Sequence, residues 1–150
     1  MRGCLVAIAL GVALSGCGGS NPSPNPSAPT PVSGVTLSGT YAGSASDSTG
    51  AGTMTWTASQ SGSAVTGPVT AKTSLGIVVF TGSLTGTLTG SSLTFSITVP
   101  ADGMSGFPGC SATIDGTASG VSNTAIAGTY TGTNSCGGSF NSGHFSLTKQ

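Results

Sequence analysis

Apolar and polar residues alternate along most of the chain beyond about residue 35. Met54, Trp56 and Ala58 alternate with threonine and serine, and residues 92–99 repeat the pattern with Leu93 and Phe95. A period of two is typical of a β-strand with one buried face. Hydrophobic positions at helical spacing are missing from this region. The pattern therefore predicts an all-β domain.

Short turn sequences rich in glycine and serine divide the domain into about eight strands. The predicted strands are residues 37–46, 52–60, 64–72, 77–88, 92–99, 110–119, 123–133 and 139–149. Short links make consecutive strands antiparallel neighbours, and closing eight of them into a barrel leaves no exposed edge. We therefore expect an up-and-down β-barrel, with an open two-sheet β-sandwich as the alternative.

In each predicted strand, every second residue is mostly apolar and is expected to face inward. Together these residues are enough to form the core of a small barrel. Glycines of the same parity, Gly43 and Gly128 among them, would permit the sharp coiling that closure needs. The predicted inward residues are Leu37, Tyr41, Met54, Trp56, Val65, Val69, Val78, Phe80, Leu84, Leu88, Leu93, Phe95, Ile97, Val99, Ile114, Ile126, Tyr130, Phe145 and Leu147.

The first part of the chain has the features of an export signal. Arg2 precedes an apolar run over residues 5–14, which is too short for a membrane span and suits a signal peptide. The run ends in Leu14-Ser15-Gly16-Cys17, which resembles the lipobox of bacterial lipoproteins. The resemblance implies cleavage after Gly16 and lipid attached to Cys17. The predicted organisation is a signal peptide at 1–16, a lipidated tether at 17–34 and a β-barrel domain at 35–150.

The tether and its first residue indicate where the protein would be held. Residues 18–33 alternate proline with small polar residues, which favours an extended polyproline II spacer. In lipoproteins of diderm bacteria, aspartate after the lipidated cysteine tends to retain the protein at the inner membrane, and Gly18 stands there instead. We expect anchorage in the cell envelope, at the outer membrane, with the membrane as partner through Cys17.

Charge is scarce and balanced. Charged residues make up 4% of the chain, with three basic and three acidic side chains and no net charge. Nucleic-acid binding needs clustered basic residues. The composition therefore argues against a nucleic-acid partner.

Two cysteines, Cys110 and Cys136, remain in the domain. The predicted register places both near one end of the barrel, and an oxidising exported compartment favours their pairing. A disulfide is therefore expected. Because Cys-x-x-Cys is absent and His144 is the only histidine, no metal or redox centre is expected.

The opening of the first strand carries a family resemblance. Gly39-Thr40-Tyr41, followed by eight meandering strands, resembles the calycin group of barrels, which comprises lipocalins and avidin-like proteins. Tyr41 stands where the first strand of that group often has tryptophan. The resemblance implies barrel architecture and assigns no binding residue here.

Catalytic chemistry finds little support. Asp47 and Asp102 fall in loop-like sequence, and Asp115 and His144 have outward parity. A nucleophilic or acid–base mechanism needs such groups placed together. We therefore expect neither an enzyme nor a cofactor.

Two functional hypotheses remain open. In the first, the barrel binds a neutral, largely apolar small molecule against an uncharged inner wall, with Tyr41, Trp56, Phe95 and Tyr130 as candidate lining residues. In the second, the core is solid and the domain is a structural or protein-interaction module of the envelope whose partner the sequence does not name. The loop at residues 100–109, with apolar Met104 and Phe107, would then serve as a contact or as a lid over one end.

Overall fold

The computed structural model describes residues 34–150. The predicted signal peptide, Cys17 and almost all of the predicted tether lie outside these residues. The described chain forms eight strands, which are β1 (Gly39–Asp47), β2 (Gly50–Ser61), β3 (Ala64–Thr73), β4 (Val78–Thr89), β5 (Ser92–Val99), β6 (Ala112–Ala118), β7 (Ala125–Asn134) and β8 (Ser139–Lys149). No helix within residues 34–150 is both long and apolar enough to cross a membrane.

The strands close into a single barrel. Each strand pairs antiparallel with the next, and β8 returns to pair with β1, where Tyr41 lies opposite Lys149 and Gly43 opposite Leu147. The predicted all-β, eight-stranded, up-and-down barrel is therefore confirmed, and the two-sheet sandwich is not the fold.

Gly43 shows why closure depends on glycine at particular inward positions. A Cβ at this position would overlap the main-chain carbonyl oxygen of Ser146 on the neighbouring strand. Strands that coil this tightly bring backbone against backbone, so only a residue without a side chain fits. Gly128 stands in the same relation to Thr117 between β6 and β7.

Aromatic rings fill the middle of the barrel. The ring centroids of Trp56 and Phe95 are 5.0 Å apart, those of Trp56 and Phe145 also 5.0 Å, and those of Phe95 and Phe145 5.6 Å. Two of the three pairs meet edge to face, an arrangement that adds about 0.5–1.5 kcal/mol per pair beyond apolar burial. The rings of Trp56, Phe95 and Phe145 therefore pack against one another and fill the middle of the barrel, and we call them the aromatic cluster.

One predicted core residue was wrong, and eight buried residues were not predicted, of which Phe140 is the largest. Val78 is 38% exposed, because the β3–β4 register shifts at Ala71/Lys72 and breaks the parity that leads to buried Phe80. Phe140 is buried although its parity differs from that of Phe145. A β-bulge in each pairing reverses which face the side chains occupy. All other predicted inward residues are buried.

One end of the barrel is sealed by the chain that leads into β1. Leu37 is fully buried there, and its main-chain N–H donates to Oε1 of Gln60 at 2.7 Å. The hydroxyl of Tyr41 donates to the carbonyl of Asn123 in the β6–β7 loop at 2.9 Å. We call this the closed end. The opposite end, where β1, β3, β5 and β7 finish, is called the mouth.

Candidate ligand-binding site

A cavity of about 630 Å³ lies at the mouth. It is bounded by the ends of the strands and by the loops that join β1 to β2, β5 to β6 and β7 to β8. Its wall is largely apolar because apolar side chains face inward up to the ends of the strands, including those next to the β-bulges in the β3–β4 and β7–β8 pairings. The apolar lining is formed chiefly by Met54, Ala71, Val79, Phe80, Met104 and Phe140.

The β5–β6 loop forms part of the cavity wall. Met104 is buried and forms a bridge with Phe80, and main-chain hydrogen bonds join Gly103 to Thr81 and Ser105 to Val79. Phe107 lies on the same loop, lines the cavity and remains 53% exposed. One apolar side chain of the loop therefore packs on the barrel end, as expected of a lid, and a second is exposed to solvent.

A disulfide between Cys110 and Cys136 fixes this side of the mouth. It joins the β5–β6 loop to the β7–β8 loop with a Cα–Cα distance of 5.7 Å, as the sequence predicted. Cys136 also lines the cavity, and the main-chain N–H of Cys110 donates to the carbonyl of Phe107. The cross-link therefore restrains two loops that shape the cavity.

One carboxylate and one phenol supply the main polar contact of the cavity. The hydroxyl of Tyr130 donates to Oδ2 of Asp47 at 2.9 Å, and both residues line the cavity. The other carboxylate oxygen, Oδ1, accepts from the main-chain N–H of Thr49 at 2.7 Å and from the Thr49 hydroxyl. Burial raises the pKa of Tyr130 above the usual range, and the hydrogen bond and negative charge of Asp47 raise it further.

This arrangement corrects two expectations. Asp47 is the last residue of β1 rather than part of a loop, and it pairs with Gly50 across the turn. The wall of the cavity was expected to carry no charge, but Asp47 contributes a carboxyl group to it and Lys72 lies at its rim. Asp47 shares the inward parity of Tyr41 but was assigned to a loop, and Lys72 has outward parity and lies at the register shift between β3 and β4.

A β-bulge in β8 orients the tyrosine. Tyr130 pairs with Gly143 and Gly132 pairs with Phe140, so β8 has one more residue than β7 in this interval. Ser142 within it has a positive φ of 54°, which is uncommon outside glycine. A Cβ on Gly143 would come within 2.5 Å of the Tyr130 ring. The glycine therefore leaves room for the ring whose hydroxyl reaches Asp47.

The structure separates the four residues predicted to line a ligand site. Tyr130 lines the cavity, whereas Trp56 and Phe95 belong to the aromatic cluster and do not line it. Tyr41 lies at the closed end, where Lys149 Nζ is 5.8 Å from the centre of its ring. Burial raises the pKa of the Tyr41 hydroxyl, and a backbone hydrogen bond with Ser38 partly offsets the shift. Rings that pack on one another leave no space between them, so the cavity forms above the cluster.

Trp56 Nε1 is buried and has no hydrogen-bond partner among residues 34–150. A buried donor without a partner costs roughly 1–3 kcal/mol. The neighbouring side chains of the aromatic cluster offer no oxygen or nitrogen acceptor.

A second concavity, of about 370 Å³, lies on the outer wall over β6, β7 and β8. Asp115, Ser142 and His144 line it, and Asp115 and His144 are exposed as their parity predicted. No hydrogen bond joins these three side chains in the described part of the chain. No group of three or more potential metal ligands is found within residues 34–150.

Comparison of the chain with protein-family models, curated proteins and solved structures found no match.

Proposed function

We propose that the barrel binds a small, largely apolar molecule in the cavity at its mouth. The observation that carries the proposal is the cavity itself, whose volume of about 630 Å³ lies within the range of roughly 300–1,000 Å³ typical of small-molecule sites. Such sites combine an apolar wall with a few placed polar groups. Met54, Phe80 and Phe140 supply the wall, and the Asp47–Tyr130 pair supplies the polar groups.

The surroundings of the mouth support an apolar ligand. Leu75 is 85% exposed and Ile77 is 60% exposed, both in the loop between β3 and β4, and half-exposed Phe107 belongs to the β5–β6 loop. Large apolar side chains grouped at one end of a domain mark a binding surface. The same side chains favour a second candidate function, in which the loops bind another envelope protein and the cavity has no ligand.

The sequence supplies the remaining part of the proposal. We infer that lipid on Cys17 holds the domain at the bacterial cell envelope, at the outer membrane, through the proline-rich tether. The support is the lipobox-like Leu14-Ser15-Gly16-Cys17 that follows an apolar run. A closed eight-stranded barrel that begins at Gly39-Thr40-Tyr41 is also compatible with a calycin-like carrier.

Native mass spectrometry of the full chain, exported in a bacterium and purified gently, tests the carrier function. A bound molecule adds mass that is lost on denaturation, whereas the mass of lipid on Cys17 persists because it is covalent. A Cys17→Ser variant should lack the covalent mass. If the chain carries no releasable mass, even after incubation with envelope lipids, the carrier function is rejected in favour of the loop-mediated one.

A cavity-filling variant links any bound molecule to the mouth. Ala45 is half-buried and lines the cavity, so Ala45→Leu should lower the amount of releasable mass. Ala127 is exposed on β7 and does not line the cavity, so Ala127→Leu is the matched control and should retain the bound molecule. Equal loss in both variants would place the ligand elsewhere.

A further inference from the structure

The Asp47 carboxylate has capacity for a further hydrogen bond. An ionised carboxylate has about four acceptor positions. Oδ1 accepts two hydrogen bonds from Thr49, and Oδ2 accepts one from Tyr130. One acceptor position on Oδ2 is therefore left, on a residue that lines the cavity.

The partners of Asp47 orient the carboxylate without neutralising it. Within residues 34–150, its hydrogen-bond partners are Tyr130 and Thr49, and neither carries a positive charge. The Tyr130 phenol remains protonated well above neutral pH because burial and Asp47 raise its pKa. The cavity therefore presents a fixed negative charge beside an apolar wall.

Lys72 contributes a basic side chain to the cavity wall. Its side chain is exposed to solvent at the rim, on the part of β3 that pairs with Thr53 and Val78. Exposed charges are screened by water and salt more strongly than partly buried ones. Asp47 is half-buried, so its charge should dominate the potential felt by a ligand inside the cavity.

We propose that the ligand is an apolar amine, whose protonated nitrogen donates to Asp47 Oδ2 while its hydrocarbon part contacts the wall formed by Met54, Phe80 and Phe140. The inference rests on the proposed binding function and specifies the ligand class. It replaces the sequence-based expectation of a neutral ligand. An apolar carboxylic acid is disfavoured, since its anion would face Asp47 at short range.

Three matched probes test the head group. Decylamine, decan-1-ol and decanoate share one hydrocarbon chain and differ at one end, and at pH 7 the amine is protonated because alkyl ammonium groups have pKa values of about 10. Charge-assisted hydrogen bonds are roughly twice as strong as neutral ones. In calorimetric titrations of the full chain, the amine should bind about tenfold more tightly than the alcohol, and decanoate should bind least.

Two matched substitutions test whether the preference for the amine depends on the Asp47 charge. Asp47→Asn keeps the shape and the acceptor oxygen but removes the charge, so it should weaken amine binding about tenfold and leave alcohol binding within about twofold. Asp115→Asn makes the same change on the outer wall, away from the cavity, and should alter neither affinity. Raising the salt concentration should weaken binding of the amine and not of the alcohol.

The outcomes separate this inference from the function beneath it. Equal binding of amine and alcohol, or amine binding that survives Asp47→Asn unchanged, would overturn the amine assignment while leaving the apolar cavity as a binding site. If none of the three probes binds, the proposed binding function fails together with the inference. Tighter binding of decanoate would assign the head group to Lys72 and refute the role of Asp47.

Discussion

Replacing Tyr130 by phenylalanine removes one hydroxyl and leaves the ring against Gly143 in place. The lost interaction is a 2.9 Å hydrogen bond to the Asp47 carboxylate. Hydrogen bonds to charged groups contribute roughly 1.5–3 kcal/mol. Asp47 is half-buried and keeps its bonds from Thr49, which places the expected loss near the lower bound, at about 1.5 kcal/mol.

The other tyrosine provides a matched control. The Tyr41 hydroxyl donates at the same distance, 2.9 Å, but to the neutral carbonyl of Asn123 at the closed end. Tyr41→Phe should therefore lower the free energy of unfolding by about 1 kcal/mol, the typical value for a neutral bond. The two variants each remove one tyrosine hydroxyl. They differ in whether its acceptor is charged and in whether it lies at the mouth or at the closed end.

A double-mutant cycle isolates the contact at the mouth. Urea denaturation at pH 7 would be measured for Tyr130→Phe, Asp47→Asn and the double variant, and the coupling free energy should be about 1 kcal/mol. The pair Tyr41→Phe and Asp47→Asn should be additive, because these sites lie at opposite ends. Additivity of the mouth pair within about 0.3 kcal/mol would refute the view that the hydroxyl and the carboxylate stabilise each other.

Three further predictions concern ionisation, cross-linking and closure. Tyr41 and Tyr130 are the only tyrosines and both have a raised pKa, so phenolate absorbance of the folded protein should appear at higher pH than that of the unfolded chain; the contribution of the two tyrosines to stability should be constant below about pH 10 and fall above it. Replacing Cys110 and Cys136 by serine, which opens a cross-link spanning 26 residues, should lower the free energy of unfolding by about 3–4 kcal/mol in urea. Gly43→Ala should cost about 3 kcal/mol or more, measured in the same way, because its methyl group would overlap the β8 backbone.

Each of these outcomes has a clear contrary result. A phenolate signal with its midpoint near pH 10 in protein that is still folded would show that the hydroxyls are accessible to water. An unchanged urea midpoint in the serine variant would mean that the loops at the mouth are held without the disulfide. Gly34→Ala is the control for closure, because no atom lies within 4 Å of the added methyl group. An equal, small effect of both glycine substitutions would show that the barrel adapts at Gly43.

The barrel architecture was predictable because it follows from the alternation of apolar and polar residues along each strand and from the glycine- and serine-rich turns between strands. Strands β5 and β8 begin and end where the sequence predicted, and the other strand boundaries differ by two residues or fewer. Serine and threonine on the outward parity left little doubt about which face is buried. The position of Cys110 and Cys136 at one end followed from the same register, because consecutive antiparallel strands bring alternate loops together.

The candidate site was less predictable because it forms where the regular pattern stops. The bulge containing Ser142 and Gly143 reverses the parity of β8, and without it neither buried Phe140 nor the approach of Tyr130 to Asp47 could be inferred. A Ser-Gly pair inside a strand is a recognisable sign of a bulge. Its position within the strand, however, depends on the packing of the Tyr130 ring, which is a contact between strands.

The division of the barrel into a filled middle and an open mouth also limits how a ligand can enter. Leu37 and the contact between Tyr41 and Asn123 seal the end at which the described chain begins, while the aromatic cluster fills the middle. The proposed ligand would therefore enter and leave through the mouth, past Phe107.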